Sequence, residues 1–234
     1  MADTDALDAR TGDYADDSFI PEDLFAGQPV IETRWRLQNG ALPLKNRHMR
    51  AFRARGVSNG LDSWARQHVE WTLGDGSYDE PNGVLVLDVD DKGRAVMCIE
   101  PFEPLPALTA ALLLDRVSDA VDETVEPEVL WLVHDGALVA LTDGAKQLSG
   151  VNSLVVDLAK TLHLNPSLVG HAHAARDVAQ LAGADECFMA SDEFGIVPAS
   201  DHAGETCARF AAYYETLLAR TKPDRMDAAL PHRR

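Results

Sequence analysis

The chain has 234 residues, of which 46% are hydrophobic, enough for one large or two small units with sizeable cores. Its 38 acidic and 21 basic side chains give a formal charge of −17. Such a surface repels phosphate backbones and anionic lipid, which argues against nucleic-acid binding and membrane docking and leaves small molecules and other proteins as partners.

The three cysteines, Cys98, Cys187 and Cys207, form no CxxC pair, and residues 1–17 contain no apolar core segment of a secretory signal. The apolar runs 107–114 and 129–133 are too short to span a bilayer. The expectation is a cytoplasmic protein with reduced thiols.

Residues 1–27 are rich in Asp, Ala and Thr and read as a disordered acidic tail. Residues 30–37 (VIETRWRL) alternate apolar and polar side chains as a strand does, and Asn39-Gly40 signals a tight turn. Helices follow over 47–55, closed by Gly56, and over 61–73. Residues 83–89 and 94–99 read as strands joined by an Asp-Asp-Lys-Gly turn. Pro101, Pro104 and Pro106 mark a linker. Residues 107–117 fit either a strand or a helix. Two strands, 128–133 and 137–141, flank His134-Asp135-Gly136, a hairpin signature. Residues 152–162 have apolar side chains at helical spacing, with Asn152 or Ser153 as N-cap. A helix over 174–183, strands over 186–190 and 195–198, and a final helix over 203–219 complete the reading. The expected organisation is an α/β fold: a small N-terminal α/β domain over 28–103, a larger domain over 104–221, and a flexible tail over 222–234.

Three segments carry a family resemblance. DGALVAL (135–141) followed by LSGVNSLVVDLAKTL (148–162) looks like a hairpin running into a phosphate-holding turn and helix. AGADECFMASDEFGIVPASD (182–201) looks like the strand and loop on the other side of the cofactor phosphate, and IETRWRLQNGALPLKNRHMRAF (31–52) like the opening strand, turn and helix. In this order they resemble the fold-type IV pyridoxal-phosphate enzymes (aminotransferase class IV), which include branched-chain aminotransferases and aminodeoxychorismate lyase. The resemblance covers most of residues 30–218. It implies a two-domain α/β architecture, pyridoxal phosphate between the domains, an amino-acid-like substrate and a homodimer.

Such chemistry needs a lysine for the Schiff base, an acid beside the pyridinium nitrogen, and donors for the phosphate. The resemblance assigns cofactor binding to Gly150, Val151, Asn152, Ser191 and Asp192, the last at the position of the family's loop threonine. The family's helix arginine falls on Ala51 when His48 is aligned, and with a shifted helix register Arg50 or Arg47 becomes its substitute. The acid falls nearest Thr124, between Glu123 and Glu126, and Glu126 is taken as the catalytic acid. The chain has five lysines, Lys45, Lys92, Lys146, Lys160 and Lys222, and none lies in 108–119, where the family places its own. Lys146 is the remaining Schiff-base candidate.

His171 and His173 would share one side of a strand with Asp177 nearby, but no further ligand accompanies them and no metal is assigned. No GxSxG, P-loop or GxGxxG motif is present. Two functions follow. One is a pyridoxal-phosphate-dependent transaminase or lyase acting on an amino acid or an aminodeoxychorismate-like molecule. The other is a catalytically inactive descendant that binds a small molecule or a protein partner.

Overall fold

The computed structural model describes residues 29–76, 78–119, 128–142, 148–170, 181 and 183–223. The first unit is a three-stranded antiparallel sheet, β1 (Pro29–Arg36), β2 (Val84–Asp90) and β3 (Ala95–Glu100), in the order β1-β2-β3. Two helices, α1 (Lys45–Ala54) and α2 (Asn59–Asp75), follow β1 in the chain. Alternation along the strands decides the faces. Trp35, Leu37, Leu85, Leu87 and Val89 join Met49 and Phe52 of α1 and Ala65, Val69 and Leu73 of α2 in one core. Asn39 and Gly40 both have positive φ (53° and 71°), as a type I′ turn demands, and Gln38 pairs with Ala41 across it.

Residues 101–109, which hold the three prolines, form neither helix nor strand. The ambiguous run beyond them is helix α3 (Ala110–Asp119). The second sheet contains β4 (Val129–His134), β5 (Ala137–Thr142), β6 (Pro166–Gly170), β7 (Glu186–Ser191) and β8 (Gly195–Pro198), in the order β6-β5-β4-β7-β8. Asp135 and Gly136, with φ of 49° and 74°, make the expected tight turn between β4 and β5. Helix α4 (Gly150–Thr161) connects the parallel pair β5 and β6, a pairing that requires a crossover. Strand β6 was not foreseen: its sequence, PSLVG, is short and begins with proline.

The sheet is covered on both faces. Val129, Trp131 and Val133 of β4 and Phe188 and Ala190 of β7 pack against α4 and the last helix, α5 (Glu205–Arg220). Leu130, Leu132, Cys187 and Met189 point the other way, onto Ala110, Leu113, Leu114 and Val117 of α3. The alternation in β4 therefore buries both of its faces, which is why it reads as a continuous apolar run. The three cysteines are free; Cys187 and Cys207 are buried and Cys98 is exposed. No helix among the described residues is long and apolar enough to cross a membrane. The expected tail over 1–27, the expected tail over 222–234 apart from Lys222 and Pro223, and nearly all of the expected helix 174–183 lie outside the described residues.

Candidate functional site

Helix α4 begins where three segments meet. The β7–β8 turn lies beside it, bonded through Asp192, and α1 packs across it from the first unit. The cap is Ser149, not Asn152 or Ser153 as the local sequence suggested. Its extended backbone and its hydroxyl, which accepts from the Asn152 N–H, make it so.

A helix start carries free amide N–H groups and a positive partial charge, a natural anion seat. Here the anion is supplied by the chain itself. Asp192 is buried, and its carboxylate accepts from Gly150 N–H at 3.0 Å and Val151 N–H at 2.7 Å. The Ser149 hydroxyl donates to it at 2.8 Å, and His48 Nδ1 of α1 lies 2.8 Å from its other oxygen. An ionised carboxylate only accepts, so the proton in that last bond belongs to His48. Burial alone would raise the Asp192 pKa. The neighbouring His48, Val151 N–H and Ser149 hydroxyl outweigh it and hold the group below the ordinary carboxylate range.

Of the remaining sequence-assigned residues, Asn152 and Ser191 are committed to the same network and Arg50 is not. Asn152 is fully buried; its side-chain oxygen accepts from Trp131 Nε1–H at 2.8 Å and its amide donates to the Ser149 hydroxyl at 2.9 Å. The Ser191 hydroxyl accepts from the Glu193 and Phe194 amides, both at 3.2 Å, and so shapes the turn that presents Asp192. Arg50 is exposed, and its Nε donates to Asn46 O within its own helix. Arg47 reaches α4 instead, bonding the Ser153 hydroxyl at 3.0 Å and Asp157 at 2.7 Å. Trp35 stacks on His48 with ring centroids 5.5 Å apart. His48 is buried between this ring and the helix start, and it is the partner of Asp192.

Lys146, Glu123, Glu126, His171, His173 and Asp177 lie outside the described residues. Of the other lysines, Lys45 faces Glu70 and Lys160 faces Asp157, each at 3.7 Å, while Lys92 and Lys222 are exposed. None of these four touches the α4 start. Among the described residues no three His, Cys, Asp or Glu side chains gather as a metal site.

The other face of the first sheet approaches the same turn. The Arg36 backbone N–H donates to Asp192 O at 3.0 Å. Arg34 grips Glu193 with two nitrogens, at 2.7 and 3.2 Å, and Glu100 at 2.9 Å. Asp88 sits behind this clamp with one oxygen buried and without a hydrogen bond. Burial first, then repulsion from Glu32 and Glu100, pushes its pKa up to about 6, with Arg34 opposing. A raised folded-state value means the native protein holds a proton that the unfolded chain has released, so stability falls as pH rises from about 4 to about 6. Asp88→Asn should therefore stabilise the protein above pH 6 by about 1 kcal/mol, after discounting for partial exposure, and should have little effect below pH 4. Urea titrations of both proteins at the two pH values measure this.

No family model matches the sequence, and no curated protein matches it. Solved structures do match. The Escherichia coli branched-chain amino acid aminotransferase aligns with a TM-score of 0.57 at 14% identity, over 91% of this chain and 92% of its own. A Thermotoga maritima protein assigned as a branched-chain amino acid aminotransferase gives 0.58 at 12% identity, over 92% and 96%. A Legionella pneumophila protein assigned as a 4-amino-4-deoxychorismate lyase gives 0.55 at 10%, over 86% and 97%. Another branched-chain aminotransferase that matches, with a TM-score of 0.55 at 15% identity, was solved with pyridoxamine 5′-phosphate. At these identities the likeness is one of fold: the chain has the α/β fold of the fold-type IV pyridoxal-phosphate enzymes.

Proposed function

We propose that this protein is a non-catalytic relative of the fold-type IV enzymes, which works without pyridoxal phosphate and binds a small organic molecule. The observation that carries this reading is the Asp192 carboxylate on the Gly150 and Val151 amides. A cofactor phosphate would need the same donors. With Asn152 N–H already given to Ser149, the first three amides of α4 are all in use. A phosphate brought to this seat would also meet a buried like charge. The residues present do not fit the phosphate end of the cofactor, and no described lysine stands ready for its aldehyde.

The competing reading is a transaminase or lyase with an amino-acid or aminodeoxychorismate-like substrate, Lys146 and Glu126 as catalytic residues, and a homodimer around the site. The fold likeness supports it at the level of family. A third role, as a protein partner, has one observation in its favour: His68 stacks on Trp64 and meets Trp71 edge-on along α2, and Trp71 is 52% exposed.

A direct experiment separates the first two. The protein is incubated with pyridoxal phosphate, freed of excess, and its visible spectrum recorded before and after borohydride reduction. We expect no retained visible absorbance of a protonated Schiff base and no modified lysine peptide. A reduced adduct mapped to Lys146 would overturn the proposal and restore the enzyme.

A further inference from the structure

A cavity of about 260 Å³ lies where the end of β1, the proline-rich link and α5 converge. It does not include the α4 start. Its polar groups are Arg36, Gln38, Tyr214 and Glu215; Phe102, Leu105 and Phe194 supply much of its apolar wall.

Arg36 is the informative group. Its guanidinium carbon lies 3.1 Å from the centroid of the Phe102 ring, so one face is covered by an aromatic surface. The side chain makes one hydrogen bond, from Nε to Leu37 O at 3.3 Å, and has no ion pair among the described residues. Its neighbour Arg34, two residues earlier on the same face, pairs with three carboxylates, those of Glu32, Glu100 and Glu193. A guanidinium has five N–H donors in a planar fork that matches a carboxylate. Burial lowers the Arg36 pKa while the surrounding Tyr214, Glu215 and Glu193 oppose it, so a positive charge is kept in a partly dry wall without a contacting anion.

The other polar groups are equally uncommitted. The side-chain amide of Gln38 and the hydroxyl of Tyr214 make no hydrogen bond among the described residues. Tyr214 is buried, and burial first, then the charge of Asp192, holds its hydroxyl above the usual phenol range, so it remains a donor. The exposed Glu215 also lines the cavity and places a negative charge beside the same space.

We propose that this cavity binds a small organic monocarboxylate with a flat apolar body, its carboxylate on Arg36 and Tyr214 and its body among Phe102, Leu105 and Phe194. The size sets the upper limit: about 260 Å³ lies just below the usual range of roughly 300–1,000 Å³ for ligand sites. Glu215 sets the charge, because a dianion or a phosphate ester would bring a second negative charge toward it. The inference rests on the small-molecule-binding reading above and names its site.

The test uses isothermal titration of the full chain with benzoate, with neutral benzamide and inorganic phosphate as controls. Benzoate should bind with a Kd of roughly 0.1–1 mM, and benzamide and phosphate at least about tenfold more weakly. Arg36→Met keeps the stem over Phe102 and removes the charge, and should weaken benzoate about tenfold or more. Tyr214→Phe keeps the ring and should weaken it about threefold, the loss of one hydrogen bond. No benzoate binding up to about 10 mM, or affinity unchanged in both variants, would overturn the proposal. Should Arg36→Met fail to fold, the Arg36 Nε–H resonance of the wild type replaces it: a shift that saturates with benzoate supports the site, and no shift overturns it. The borohydride experiment on the same preparation keeps the two readings apart. A lysine adduct with benzoate binding intact removes the non-catalytic reading and leaves the cavity, whereas a colourless protein that ignores benzoate removes the cavity alone.

Discussion

Replacing Asp192 with alanine should lower stability by about 3–5 kcal/mol, the usual cost of breaking a buried charged pair. For a domain of this size that is a fall in melting temperature of roughly 6–20 °C. The loss is large because four groups are stranded at once: the Gly150 and Val151 amides, the Ser149 hydroxyl and His48 Nδ1–H. Desolvated donors without an acceptor cost more than the bonds they once made. The same vacancy makes a second readout possible. In Asp192→Gly the seat is empty and its donors are intact, so inorganic phosphate should raise the melting temperature of that variant. At ten times its Kd the gain is about 1.4 kcal/mol. The wild type should show no such response. Phosphate that stabilises both proteins equally, or neither, would show that Asp192 does not stand in for an anion.

The second large effect is acid unfolding. Asp192 is one of three carboxylates that close a helix start from a distant segment. Glu186, the first residue of β7, accepts from the Thr206 and Cys207 amides of α5 at 3.1 and 2.7 Å, and Asp201 accepts from Ala110 N–H of α3 at 2.7 Å. All three have lowered pKa values. For Asp192 and Glu186, burial works against the bonds that lower it; for Asp201, the Ala110 amide is the largest cause. A depressed folded value means the stabilisation is complete above the ordinary carboxylate range near pH 4 and is lost as pH falls below it. Asp88 acts in the opposite sense at higher pH. Denaturant titrations from pH 7 down to pH 2.5 should therefore show a shallow maximum at about pH 4–5 and a steep fall beneath it. In Asp192→Asn the fall should be less steep, since one of the three protons no longer counts. An unchanged slope would mean that Asp192 titrates alike in folded and unfolded chains.

Much of the architecture was legible because it is written locally. Asp135-Gly136 predicts its hairpin from the positive φ that Gly accepts and Asp tolerates, and the alternation in 30–37 predicts both β1 and its core face. What the sequence could not show is pairing at long range. The α4 cap was expected at Asn152 or Ser153, both residue types that cap well, yet Trp131 draws the Asn152 side chain into the core, and Ser149 takes the role. The resemblance singled out Gly150, Val151, Asn152, Ser191 and Asp192 together, and the structure does bring them together. The role they take here is set by a carboxylate at the position where the resemblance expects a hydroxyl. That substitution was the available signal. Its meaning depended on where the side chain pointed, which only the packing of β7 against α4 decides. Arg36 had no signal at all: that it has no ion pair among the described residues is a property of the assembled molecule.

The distant carboxylates also bear on how the molecule folds. Asp192 lies 42 residues from Gly150, Glu186 lies 21 from Cys207, and Asp201 lies 91 from Ala110. A helix capped by its own neighbours can nucleate early and alone; these three acquire full N-terminal closure only after β7 and the segment behind it have docked. Helix formation is thereby tied to sheet assembly. A truncated chain ending before residue 186 would keep the helical sequences of α3 and α4 and lose the groups that complete them, so secondary and tertiary structure should appear in one kinetic phase rather than two.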